Sequence, residues 1–365
     1  MISKKIFYSI IICSLFLMVL EVTARLQDVL FDGLPFFNKK PLIIVKESTY
    51  LPITLIPNLR SPTYSHNSLG FRGKEFLTRK NEDVYRIVCL GGSAVYGTCL
   101  SEQETLPAQL EVVLNDAYRD LKFEVINAGV PSYTTMDSLI NLATRILPLE
   151  PDMIIIYHGY NDFAPNRYPD FKSDYTHFRI RKKAKSLEIL DILSSKSSFI
   201  RNMINLYYKI ARFLNKHKAF DIKVRGTRTH NSCVQEGIDV FKRNLKSMVY
   251  LARAHDIVPI ISTYAMAINE ENLKNHPERF KNLKTHCPSL TDKGVLDAKK
   301  RYNQAIREIA KTEDVIFIDN GKLMPETFEY QYDYCHFTAF GARKTAENFA
   351  KVILNHLEKR ADIAF

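Results

Sequence analysis

The stretch "YRIVCLGGSAVYG", Tyr85 to Gly97, decides the fold. Its apolar, β-branched start reads as a buried strand, two glycines and Ser93 break that strand, and small and apolar residues then open a helix. The same alternation continues down the chain. A helical pattern over Thr105 to Tyr118 leads to "FEVIN", and one over Met136 to Leu147 leads to "MIIIY". A helix around Val240 to Ala254 precedes "IVPIIST", another around Asp297 to Ala310 precedes "VIFID", and a last one runs from about Ala339 to Leu357. Continuous apolar strands alternating with helices predict an α/β fold in which a doubly wound parallel sheet is covered on both faces.

Outside this core the pattern changes. Lys4 and Lys5 precede an apolar run from Ile6 to Leu20, 15 residues long, which reads as an export signal with the N-terminus inside and the body of the protein outside the cytoplasm. "VTA" at Val22 to Ala24 offers the small-residue spacing of a cleavage site, so secretion after cleavage is the alternative. The same residues extend a helix, and an uncleaved membrane anchor over 1–25 is the preferred reading. Residues 26–84 hold Pro35, Pro41, Pro52, Pro57 and Pro62 with short apolar runs such as "PLIIV", and predict an irregular stalk with one or two strands. The α/β domain is expected over 85–358, interrupted at about 163–230 by a basic, helix-prone insertion. There Ile189, Leu190, Leu193, Ile200, Ile204, Tyr207, Tyr208, Ala211 and Leu214 have amphipathic spacing. Such an insertion reads first as helices docked on the core, with a lid or a membrane-facing surface as the other uses.

Composition narrows the function. The 365 residues are 46% apolar and 25% charged with a net charge of +11, which fits a globular chain and leaves room for a large core. Cations dominate from Lys172 to Arg228, a pattern suited to a solvated face or to anionic lipid or polysaccharide, and no nucleic-acid-binding motif accompanies it. Besides Cys13 in the apolar run, Cys89, Cys99, Cys233, Cys287 and Cys335 form neither a disulfide framework nor a zinc spacing.

Four strand ends carry polar or glycine clusters: "GGS", "NAGVPSYTT", "HGYND" and "DYCH". In an open parallel sheet the loops at the carboxyl ends of the strands share one edge, so the four clusters point at one crevice. Taken alone, Ser93 reads as a turn residue, and Asn161 with Asp162 as a strand end. Together they fill the roles of a hydrolytic serine site. Asp333 and His336, three residues apart, supply a base and its orienting carboxylate for Ser93, while Gly129 can offer a backbone N–H and Asn161 a side-chain N–H to an oxyanion. Rival motifs fit less well. "GGSAVYG" has neither G-x-G-x-x-G nor the lysine of a P-loop, and Val95 stands where G-x-S-x-G needs glycine. Asp333, Cys335 and His336 have the ligand types for a metal but no further ligands at a suitable spacing. His158 reads as a structural or substrate-facing histidine.

The four clusters, in this order, resemble the blocks of the SGNH (GDSL-type) hydrolase family. "GGS" stands where that family has Gly-Asp-Ser, "GYND" matches Gly-x-Asn-Asp, and "DYCH" matches Asp-x-x-His. The family's aspartate is Gly92 here. The resemblance implies a five-stranded sheet of flavodoxin-like order 2-1-3-4-5, Ser93 as nucleophile with His336 and Asp333, and Gly129 and Asn161 as oxyanion donors. No metal or organic cofactor is needed for that chemistry. "NSLGFRGKEF", Asn67 to Phe76, together with the anchor is similar to a membrane-tethered branch associated with surface carbohydrate. The expected function is therefore a serine esterase acting on acylated, chiefly O-acetylated, polysaccharide. A polysaccharide O-acetyltransferase, a lipid esterase and a non-catalytic envelope scaffold are the alternatives.

Overall fold

A computed structural model of the chain describes residues 4–32, 36–37, 44–61, 63–119, 121–167, 171–178, 193–194, 196–214 and 230–363. Its main helices are α1 (Lys4–Asp32), α2 (Ser93–Tyr96), α3 (Leu106–Ala117), α4 (Thr135–Asn141), α5 (Ser198–Leu214), α6 (Gln235–Arg253), α7 (Asp292–Thr312) and α8 (Ala339–Ile363). The strands of its sheet are β1 (Val84–Gly91), β2 (Lys122–Gly129), β3 (Met153–Tyr157), β4 (Val258–Ser262) and β5 (Ile316–Ile318).

The sheet has the order β2-β1-β3-β4-β5, and every pairing in it is parallel. This is the doubly wound arrangement expected from the alternating pattern and the family resemblance. The central strands are mostly apolar because both faces are covered: Ile87, Val88, Leu90, Ile154, Ile155, Ile260 and Ile261 are fully buried. Helix α3 packs on α8, and α6 packs on α4 and α7. Local chemistry starts these helices where they start. Thr105 caps α3, Thr134 and Asp137 close a reciprocal capping box on α4, and Thr291 caps α7.

Register brings the site together. Gly91 at the end of β1 pairs with Gly129 on one side and Tyr157 on the other, so three strands stop at one level. The residues that follow them, Ser93, Val130–Tyr133 and His158–Asn161, are therefore delivered to one edge.

The chain divides into two compact units, one of Met1–Lys46, Leu59–Tyr64 and Lys182–Ile222, the other of Glu47–Asn58, Ser65–Arg181 and Lys223–Phe365. The second contains the sheet. In the first, α1 continues to Asp32, past the end at residue 25 expected from the apolar run, because side chains beyond that point find partners. The N-terminal turn of α5 seats on α1 at Glu21 and Asp28. Glu21 accepts hydrogen bonds from the Ser198 and Phe199 N–H groups, each at 3.0 Å, and from the Ser197 hydroxyl at 2.7 Å. Asp28, buried, pairs with Arg201 and accepts from the Ser198 hydroxyl at 2.7 Å. Of the region expected to form the stalk, short strands occur at Val45–Lys46 and Thr54–Leu55, while Pro35, Pro41 and Pro62 lie outside the described residues. Ile189, Leu190 and most of the basic stretch 179–229 also lie outside them.

Candidate active site

Ser93 is the first residue of α2, directly beyond the carboxyl end of β1. Its loop is pinned from behind. Arg72, 4% exposed, donates to the carbonyls of Tyr96 and Gly97 at 2.7 Å and of Leu100 at 2.6 Å, and its guanidinium lies over the Tyr96 ring. A cation at the carboxyl end of a helix is electrostatically favoured, and three carbonyls fix its place. The Asn67 side chain shapes the segment that carries Arg72 by accepting from the Leu69 and Phe71 N–H groups. In the sequence "NSLGFRGKEF" carries only a family likeness. Its buried arginine and asparagine belong to the site although no motif marks them, and an arginine in a short glycine-bracketed loop is the sequence signal they leave.

Asp333 and His336 lie on a tight loop closed by the Tyr332 N–H to the His336 carbonyl at 2.7 Å and by a bridge between Gln331 and Phe337. Tyr334, Cys335 and Phe337 are buried, and His336 among them stays partly exposed. His336 Nε2 is 2.8 Å from Ser93 Oγ, and His336 Nδ1 is 2.8 Å from Asp333 Oδ2. Asp333 Oδ1 also accepts the backbone N–H groups of Cys335 and His336, each at 2.9 Å. Burial pushes the Asp333 carboxyl up, but the bond to His336, that ring's charge and the two N–H donors outweigh it and hold the carboxyl below its ordinary value. The carboxylate therefore stays ionised and keeps the Nδ1 proton, which leaves Nε2 to accept from the serine hydroxyl.

The oxyanion candidates are disposed differently. Asn161 Nδ2 donates to the Tyr133 carbonyl at 2.8 Å, which fixes the amide while its second N–H stays available. It lies against Gly92, where any Cβ would overlap the amide. Gly129 is drawn elsewhere: its N–H donates to Asn127 Oδ1 at 3.0 Å, and a Cβ there would collide with the backbone of Val95 and Tyr96. Glycine at 129 thus lets α2 lie against β2, and its amide is already engaged. On the same loop Ser132 adopts a left-handed backbone (φ 69°) at the third position of an exposed turn closed by Tyr133 N–H to Val130 O, one residue before the carbonyl that meets Asn161.

Asp333, Cys335 and His336 place one potential ligand atom each within 4.8 Å of one another. The contacts above already engage the carboxylate and both ring nitrogens, and burial and Asp333 push the Cys335 thiol well up, which keeps it protonated. His158 is buried, not substrate-facing. It bonds Ser138 Oγ at 2.7 Å, and burial lowers it to about 3.

Asp162 props the loop from beneath, accepting the Thr135 N–H at 3.1 Å and its hydroxyl at 2.6 Å. Burial pushes its carboxyl up to about 7 against the pull of the Thr135 bonds. In the unfolded chain it ionises near pH 4, so between about pH 4 and 7 the native state holds a proton that the unfolded state has lost. The stability from this group is complete below that window and declines as pH rises through it, by roughly 2–4 kcal/mol in all. Asp162→Asn, which cannot ionise, is expected to flatten the decline when urea unfolding of the detergent-solubilised protein is compared at about pH 5 and about pH 7. A slope equal to that of the native chain would assign the decline to another group.

A parallel sheet of this order thus brings a serine, a histidine and an aspartate into hydrogen-bonded series at its carboxyl edge, an arrangement suited to hydrolytic chemistry. The GDSL-like lipase/acylhydrolase family model matches residues 89–344; the chain belongs to that family and is a carboxylic ester hydrolase by class. Similar solved structures include a lipolytic protein of the G-D-S-L family from Desulfitobacterium hafniense (15% identity, 73% of this chain and 99% of that one, TM-score 0.43). A lipase/acylhydrolase from Enterococcus faecalis is also similar (18%, 75% and 96%, 0.41), as is a catalytic mutant of an acetylxylan esterase from Geobacillus stearothermophilus (12%, 74% and 94%, 0.42). No curated protein matches the chain.

Proposed function

We propose that the protein cleaves short acyl esters, O-acetyl above all, on carbohydrate outside the cytoplasm, through Ser93, His336 and Asp333. The observation that carries this reading is the unbroken series Ser93 Oγ, His336 Nε2, His336 Nδ1 and Asp333 Oδ2, with 2.8 Å at each of its two hydrogen bonds. In the reaction His336 Nε2 takes the Ser93 proton as Oγ attacks the ester carbonyl. The oxyanion is held by the free N–H of Asn161 and by backbone N–H groups at Ser93 and, in place of the engaged Gly129 amide, Ser132. The C–O bond then breaks, the alcohol leaves with the proton from His336, and the acyl group stays on Ser93. Water, deprotonated by the same imidazole, releases it as the carboxylic acid and restores the serine. Asp333 holds the imidazolium throughout and stays ionised.

The side chains of His336 and Asp333 are 16% and 15% exposed, which supports access by an ester that projects from a polymer. Support for location comes from α1. Lys4–Leu30 is long and apolar enough to cross a membrane, and Glu21, on the near side of the cleavage-like "VTA", caps α5 jointly with Asp28 on the far side. That contact favours an anchor kept on the mature chain.

Two measurements on the full chain in detergent test the reading. A serine-directed fluorophosphonate should label the protein at Ser93, and an activated acetyl ester should be hydrolysed at a rate that added oligosaccharide acceptor does not divert. Absence of labelling would remove the serine mechanism, and acetyl appearing on the acceptor would make the enzyme a transferase.

A further inference from the structure

We propose that α5 is a membrane-surface helix whose exposed apolar stripe beds into the head-group region of an anionic bilayer. The proposal rests on the reading of α1 as a membrane anchor.

Helix α5 has two unlike faces. Ser198 and Arg201 turn toward α1, where Asp28 and Glu21 hold them. On the opposite side Met203, Leu206 and Ile210 form a stripe about 60° wide at helical spacing, and their exposures are 50%, 48% and 46%. Among the described residues α5 is docked by its polar face and exposed on its apolar one, the reverse of a helix packed on a globular core.

Three observations select lipid as the occupant. First, α5 is fastened to α1 at Glu21 and Asp28, directly beyond the apolar run Ile6–Leu20, so the bare stripe starts within a few residues of where that run ends. Second, α1 itself continues the apolar surface past Glu21, with Val22, Leu26 and Leu30 exposed at 41%, 48% and 74%. Third, residues 182–222 carry nine Lys and Arg against three Asp and Glu, the charge that an anionic head-group layer attracts. The buried Asp28–Arg201 pair then works as a hinge pin that sets the angle of α5 against the anchor. An interfacial helix of this kind sits about 5–10 Å into the boundary between head groups and acyl chains.

The chain contains no tryptophan, so one introduced residue reports alone. Full-length L206W, N205W and L17W proteins are reconstituted into phosphatidylcholine and phosphatidylglycerol vesicles, with and without lipid brominated near the top of the acyl chain. Emission from L17W in α1 and from L206W is expected to fall about twofold or more with brominated lipid, while N205W, on the Arg201 side, loses about a tenth. Quenched L17W beside unquenched L206W overturns the proposal and leaves the anchor in place. Unquenched L17W overturns the anchor reading, and the proposal with it. Emission from L206W that moves to the blue only as protein concentration rises, without quenching, gives the stripe to a second copy of the chain and also overturns the proposal. I210W, one turn further on, repeats the measurement should L206W disturb the helix, and hydrolysis of an activated acetyl ester by each variant reports that the sheet-bearing unit is folded.

Discussion

Ser93→Ala is expected to lower kcat/KM for an activated acetyl ester by at least about 10⁴-fold and to abolish fluorophosphonate labelling, with the thermal midpoint unchanged. The substitution removes one oxygen. Helix α2 keeps its backbone bonds, and the partly exposed His336 Nε2 regains a partner from water. What disappears is the atom that forms the acyl bond, so only oxyanion stabilisation and binding remain. An alanine protein that retains more than about a tenth of the native rate would take the nucleophile away from Ser93.

Asp333→Asn should come close to that loss by another route. Its Oδ1 can still accept the N–H groups of Cys335 and His336, so the loop should keep its shape. The new amide nitrogen, however, faces His336 Nδ1 as a donor. The imidazole answers by moving its proton to Nε2, where it points at Ser93 and can no longer accept. We expect kcat to fall about 10³- to 10⁴-fold with folding intact, as a carboxylate-to-amide change does in other Ser-His-Asp sites. A near-native rate in this variant would mean that His336 is oriented by something other than Asp333.

The sheet was legible because a doubly covered parallel sheet demands unbroken apolar strands, and "YRIVCL", "MIIIY" and "IVPIIST" have no other comfortable place. Ser93, His336 and Asp333 were legible for a related reason, since strand ends share an edge and a three-residue spacing brings a carboxylate back to an imidazole. Other features depend on contacts that no local pattern records. That Glu21 caps a helix some 177 positions away, and that Asp28 beyond the apolar run meets Ser198 and Arg201, are tertiary facts. The engaged N–H of Gly129 follows from where the Asn127 side chain turns, and a motif match carries no such information. Arg72 belongs to the same class, because its three carbonyl partners come together only once α2 is in place.

The absence of a side chain at Gly92 lets the Asn161 amide close against the serine loop. Asn161 lies where a substituent at 92 would begin, and what stands in the way is the tip of a side chain that can turn aside rather than backbone. A side chain introduced at 92 therefore acts on catalysis through the seating of the Asn161 amide, and a rate measured on such a variant reports on both loops at once.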